Sequence, residues 1–134
     1  NLLKNRKVLF DRFASMPSLE YGKGELKRHD SEWLEQVNNI ITRNFTNEKF
    51  SVDMLAAEMA LSRSNLRRKL KGVTGLAPID YIRLVRLKSA ATLLKEGKHR
   101  VNEVCYMVGF QNHSYFARCF QKQFGVLPKD YMKE

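Results

Sequence analysis

Residues 64–82 read SNLRRKLKGVTGLAPIDYI, and residues 114–132 read SYFARCFQKQFGVLPKDYM. Laid over each other at an offset of fifty, they agree at Ser64/Ser114, Arg68/Arg118, Gly75/Gly125, Pro78/Pro128, Asp80/Asp130 and Tyr81/Tyr131, six identities in 19 positions. Leu66/Phe116 and Leu70/Phe120 keep their apolar character, and within each half the two lie four residues apart, the spacing of one buried helical stripe. Upstream, an offset of forty-nine pairs Leu55 with Val104, Ala56 with Cys105, Met59 with Val108 and Ala60 with Gly109. The chain therefore carries one unit twice: a short helix, a tight turn with a small residue, a longer helix, then Gly, Pro and Tyr.

A short helix, a three- or four-residue turn and a longer helix make a helix-turn-helix corner. The first is expected at about 51–73 and the second at about 101–125. Ser51 caps the short helix of the first corner, with Asp53 favourably placed in its first turn, and Leu55, Ala56 and Met59 form its inner face. Ser62 caps the next helix, with Leu66, Leu70 and Val73 inward. In the second corner Val101, Val104, Cys105 and Val108 make the first stripe, Gly109 breaks it, and Phe116, Phe120 and Phe124 recur every four residues. Between the corners Pro78–Lys95 reads as one long helix, with Pro in the first turn where it is tolerated and Gly97 as its stop. It is apolar around much of its circumference, which fits a central helix buried on two sides.

Working outward, Asp30 or Ser31 is expected to cap a helix whose stripe is Trp33, Leu34, Val37, Ile40, Ile41 and Phe45, followed by a polar turn over Asn44–Lys49. Residues 1–13 read as an amphipathic helix, and residues 14–29, with Pro17, Gly22 and Gly24, as linker. The expected fold is all-α: about seven helices, with two helix-turn-helix subdomains joined by a long central helix and preceded by a helical linker. The division is 1–29 for the N-terminal segment and 30–134 for the domain.

Composition agrees. The 134 residues are 43% apolar, enough for a packed core and against wholesale disorder. No apolar run reaches the roughly 18–20 residues of a membrane span. Asn1 is not an initiator Met, and the chain reads as a piece of something longer. Two cysteines, Cys105 and Cys119, make no disulfide framework, and a reducing cytoplasm with free thiols is the expectation. Lys and Arg outnumber Asp and Glu by 24 to 14, a net +10 that favours a polyanionic partner without naming one. All five basic groups of residues 51–72 fall between Arg63 and Lys71. A lone basic run is ordinarily a solvated helix face; here it sits on the second helix of a duplicated corner.

With these residues in hand, the chain resembles the AraC/XylS-type transcription regulators over about residues 31–132. The resemblance is carried by Ser51-Val52-Asp53-Met54-Leu55-Ala56, by Leu61-Ser62-Arg63-Ser64-Asn65-Leu66-Arg67-Arg68-Lys69-Leu70 and by Gly75-Leu76-Ala77-Pro78. It continues in Arg86-Leu87-Lys88-Ser89-Ala90-Ala91, Val108-Gly109-Phe110, and most specifically in Ser114–Gly125 with Pro128 and Tyr131. It implies a DNA-binding domain with two recognition helices in successive major grooves. A central helix of 18 residues is about 27 Å long, a loose match to grooves ~34 Å apart. The wording of the first corner is similar to the output domains of hybrid two-component regulators, in which a sensor histidine kinase, a receiver and a DNA-binding domain share one polypeptide. Asn1–Phe13 then looks like the linker leaving a receiver.

Lys and Arg supply salt-sensitive affinity for phosphates, while bases are told apart at the major-groove edge, where Arg suits guanine and Asn or Gln suits adenine. With Leu66 and Leu70 inward, Arg63, Ser64, Arg67, Arg68 and Lys71 are left outward. The resemblance implies that Ser64, Arg67 and Arg68 face bases and that Ser62 and Arg63 sit near phosphate; a structural salt bridge is the other role open to Arg68. The second helix offers Asn112, His113, Ser114, Arg118 and Lys122 and is the less basic reader. Asn112 also reads as a plain N-cap, His113 as an idle surface group, and Arg83 and Arg86 as either phosphate contacts or a solvated face.

The partners implied are double-stranded DNA, RNA polymerase, and a second copy through upstream domains, in the cytoplasm and without membrane contact by this chain, with anchoring of a full-length parent in the inner membrane left open. No cofactor and no metal is expected. Cys105, His113 and Cys119 match no zinc spacing, no phosphate-cradling Gly loop is present, and the chain is not read as an enzyme, although a parent could carry histidine kinase activity. Three other readings stay open: a stand-alone regulator outside any phosphorelay, a basic helical module binding acidic protein or lipid, and a non-specific architectural DNA binder.

Overall fold

The computed structural model describes residues 28–133, which form seven helices and no strand: α1 Arg28–Arg43, α2 Val52–Glu58, α3 Arg63–Thr74, α4 Pro78–Glu96, α5 Val101–Met107, α6 His113–Phe124 and α7 Pro128–Lys133. The helix expected over residues 1–13 and most of the linker expected over 14–29 lie outside the described residues. The described chain divides into two compact units, 28–85 and 86–133, with the division inside α4.

The first unit is built on aliphatic stripes. Leu34, Val37, Ile40 and Ile41 of α1, Leu55 and Ala56 of α2, Leu66 and Leu70 of α3, and Tyr81, Ile82 and Val85 of α4 form one core. Each fully buried Leu or Ile is worth about 1.5–3 kcal/mol against exposure, so four helix segments are tied by side chains at positions the 3-and-4 spacing already marks. Tyr81 shows how a buried aromatic satisfies its polar end: its hydroxyl donates to Asn38 Oδ1 at 2.5 Å. Val73 and Met59, expected inward, are only partly buried and pack against the edge of this core.

Helix ends follow local chemistry. Ser51 Oγ accepts from the Met54 amide at 3.2 Å and Ser62 Oγ from the Asn65 amide at 3.1 Å. Each satisfies one of the orphan donors of a first turn. At the start of α1 the outcome differs from expectation. The described helix already runs at Arg28, so Asp30 and Ser31 lie within it rather than capping it, and Ser31 Oγ is buried with no hydrogen-bond partner among the described residues.

The second unit repeats the plan with an aromatic core. Phe116, Phe120 and Phe124 of α6 are fully buried, as is Tyr131 of α7. The Phe120 ring lies 4.4 Å from Phe124 and 5.4 Å from Tyr131, both edge-to-face, the arrangement that ring quadrupoles favour. Cys105 is buried in this unit, its Sγ 3.6 Å from the Phe110 carbonyl oxygen, and burial raises its thiol pKa. Cys119 is only half-buried.

The two turns superpose in their bonding. Ala60 has φ +59° and Gly109 φ +98°, the left-handed step after each short helix. The next amide then reaches back five residues: Leu61 to the Ala56 oxygen at 2.9 Å, Phe110 to the Cys105 oxygen at 3.0 Å. From there Leu61 leads directly to the cap Ser62, whereas Phe110 is followed by Gln111 before the cap Asn112. This one extra residue is where the repeat offset passes from forty-nine to fifty.

Candidate nucleic-acid interface

In α3 the burial of Leu66, Leu70 and Thr74 turns one side of the helix to the core. Arg63, Ser64, Arg67, Arg68 and Lys71 are all exposed, as the spacing requires. Lys69 belongs elsewhere: its ammonium sits 5.0 Å from the centre of the Trp33 ring on α1, a cation–π contact. No carboxylate occurs anywhere in α3, so its outward cations are not neutralised from within the helix. Arg63 Nε lies 3.7 Å from Asp53 Oδ1 of α2, but both side chains are more than 70% exposed and water weakens the pair. Ser62 is exposed at the helix start with its oxygen engaged as the cap, which leaves its hydroxyl proton available to a phosphate.

Arg68 makes no salt bridge among the described residues. Its Nη1 donates to Asn65 Oδ1 at 3.2 Å, one turn back on the same face. The side chain thus stays at the surface with a neutral holder. Asn65 is not among the outward positions read in the sequence, where its only signal is its place three residues before the arginine.

In α6 Phe116, Phe120 and Phe124 turn inward, and His113, Ser114, Arg118 and Lys122 are exposed. Asn112 takes the plainer of its two roles: its Oδ1 accepts from the Tyr115 amide at 2.8 Å and caps the helix. The His113 ring rests edge-on against Phe116 at 6.5 Å. The guanidinium of Arg118 lies 6.0 Å from the centre of the Tyr115 ring. Tyr115, absent from the outward positions read in the sequence, is an exposed aromatic on the outward side of a helix whose phenylalanine rings are all buried.

The two arginines of α4 are not a solvated face. Arg83 Nη1 is paired with Asp80 Oδ1 at 3.1 Å within the helix. Arg86 is half-buried, its Nε is sequestered without a hydrogen-bond partner among the described residues, and desolvation lowers its pKa. Lys88 is buried too, which holds its amine at about 7. These groups differ in kind from the α3 cations, because a buried or intrahelically paired cation has less to offer a phosphate.

A helix-turn-helix domain model matches residues 55–134. The chain is similar to histidine kinase P4 of Formosa agariphila, 34% identical over 131 residues that cover 98% of this chain and 10% of that protein. Its fold is similar to the crystal structure of the C-terminal domain of the two-component response regulator yesN from Fusobacterium nucleatum, with a TM-score of 0.65, 29% identity, and coverage of 75% of this chain and 98% of that one. It is also similar to the DNA-binding domain of AdpA, a global transcriptional factor solved in complex with a target DNA, with a TM-score of 0.66, 27% identity, and coverage of 78% and 89%. The chain spans only about a tenth to a half of the length of the first curated relatives it matches. With a family model covering more than half its length, and with both corners built as that family builds them, the chain belongs to the AraC-type helix-turn-helix family of DNA-binding transcription-regulator domains.

Proposed function

We propose that this chain is the output domain of a two-component signalling protein, which reads specific double-stranded DNA with α3 and α6 in successive major grooves. The observation that carries the reading is the outward side of α3: Arg63, Ser64, Arg67, Arg68 and Lys71 exposed together, uncompensated within their helix, and backed by Leu66 and Leu70 in the core. Such a ridge offers phosphate neutralisation at its ends and bidentate donors between them. Arg67 and Arg68 are the base readers of α3, and Ser62, Arg63 and Lys71 contact phosphate. Arg118, with Ser114 and His113, reads in α6, and Lys122 and the Asn112 end of the helix lie near the backbone.

The two-component setting is supported by the likeness to a histidine kinase and to a response regulator's C-terminal domain. In that setting a receiver upstream brings two copies together when phosphorylated, and the DNA-bound pair is positioned to meet RNA polymerase. Among the described residues no helix is long and apolar enough to cross a membrane. A cytoplasmic site of action, without membrane contact by this chain, follows from a chromosomal partner.

The test is selection of duplexes from a random pool by this chain, followed by footprinting under excess random DNA. A defined motif with two contacted segments about one helical turn apart is expected. Retention that is weak and indifferent to sequence would replace this reading with that of a basic module for acidic protein or lipid.

A further inference from the structure

Arg68 and Arg118 occupy the same position of the repeat, and each has a holder three residues before it on the same helix face. The holders differ in kind. Asn65 accepts one hydrogen bond from Arg68 Nη1 at 3.2 Å. Tyr115 presents its ring to the guanidinium of Arg118 at 6.0 Å. The hydrogen bond engages one of the five N–H donors of Arg68, whereas attraction to a ring face engages none of those of Arg118.

Tyr115 is itself held from below. Its ring lies 6.0 Å from that of Phe110, and Phe110 packs 5.1 Å from Phe116 in the buried core. A chain of contacts therefore runs from the core through Phe110 and Tyr115 to the outward guanidinium. Tyr115 is 41% exposed, so burying the whole ring in the core does not account for a large aromatic side chain at this position. A long side chain held in place before it meets its target loses less rotamer freedom on binding.

We propose that Tyr115 and Asn65 are positioning residues that pre-set Arg118 and Arg68 for base recognition. Tyr115 leaves the guanidinium fork of Arg118 whole for a bidentate base edge, and Asn65 spends one arm of Arg68. The inference rests on the DNA reading proposed above and deepens it by naming what sets the two readers apart.

The test combines the free and the DNA-bound chain. In the free protein, the Arg118 Nε–H and side-chain methylene resonances are shifted by the Tyr115 ring current; Tyr115→Phe keeps the shift and Tyr115→Leu abolishes it. On the selected duplex, Tyr115→Leu lowers the ratio of specific to random-duplex affinity about 2- to 5-fold, the size of an exposed cation–π contact. Tyr115→Phe keeps that ratio. In an Arg118→Ala background Tyr115→Leu costs nothing further, and Asn65→Ala behaves likewise against Arg68→Ala. If Tyr115→Leu fails to fold, the wild-type shift and the Tyr115→Phe ratio decide. An unshifted Arg118 in a chain that selects its duplex overturns this inference alone, as does an equal loss from Tyr115→Leu with and without Arg118. A wild-type chain that selects no duplex overturns the DNA reading and this inference together.

Discussion

Ala60 and Gly109 stand at the same left-handed step of the two corresponding turns of the repeat, at φ +59° and +98°. A side chain there crowds the following carbonyl, at roughly 1–2 kcal/mol, and glycine avoids that cost while losing more freedom on folding. Ala60→Gly is therefore expected to stabilise the first unit by up to about 1 kcal/mol, and Gly109→Ala to destabilise the second by about 1–2 kcal/mol, both read from urea unfolding midpoints. Lys88 sets a different test. Its folded pKa of about 7 lies below the ordinary 10.5 because burial penalises the ammonium. Between these values the unfolded chain binds the proton and the fold does not, so stability rises with pH through that window and the penalty is full below about 7. Lys88→Met should thus raise the melting temperature most at or below neutral pH, with the gain narrowing toward pH 10.5. An unchanged pH profile in the variant would count against a desolvated amine. At the reading surface, Arg67→Ala should weaken specific binding by roughly 1–3 kcal/mol and relax one base position, while Lys71→Ala should weaken all duplexes alike and cut the salt slope by about one. A uniform loss from Arg67→Ala would make that residue a phosphate contact.

At the scale of elements, α3 and α6 are the same device made with different cores. Leu66 and Leu70 seat α3 on an aliphatic core, whereas Phe116, Phe120 and Phe124 seat α6 in a ladder of rings with Tyr131. Their ends are fixed alike, by Ser62 and Asn112 at the start and by glycines at φ +81° and +82° at the close. Ser62→Ala should lower stability by about 1 kcal/mol, seen as a shifted denaturation midpoint, because the Asn65 amide loses its acceptor. Asn65 also holds Arg68, so fraying of the first turn should reach DNA discrimination as well. These helices are legible in the sequence because capping residues, the four-residue apolar spacing and glycine stops are local signals. The start of α1 is not. Asp30 and Ser31 have the chemistry of caps, yet the helix is described from Arg28 and both fall inside it. A capping side chain marks where a helix can begin, but the chain is already helical at Arg28, whose guanidinium pairs with Glu32 one turn on at 3.3 Å.

For the whole molecule, the surplus of ten positive charges favours association with a polyanion, and the number of outward cations that meet phosphates sets its salt dependence. Binding to the selected duplex should fall linearly on a log–log plot against salt, while discrimination against random duplex falls less, since base contacts release few counterions. If a receiver upstream works by pairing two copies, a covalently linked tandem of this chain should hold a two-site operator tighter by the effective-concentration gain. Equal operator affinity for single and tandem chains would separate this domain from a phosphorelay.

Read alone, the chain already contains its all-α class, its duplicated corner, the inward stripes of α3 and α6, and the outward cations Arg63, Arg67, Arg68, Lys71 and Arg118. Each of these depends on spacing along one helix, and helical geometry is the same in every protein. What side chains do to one another across turns and between helices was not available in that form. Only packing in three dimensions lifted Lys69 onto Trp33, sequestered the Nε of Arg86 and the amine of Lys88, held Ala60 in a left-handed turn, and set Tyr115 between Phe110 and Arg118. The contact of Lys69 with Trp33 joins residues far apart in sequence, and desolvation depends on how elements pack, so the count of cations was readable from composition and the division between held, buried and outward ones was not.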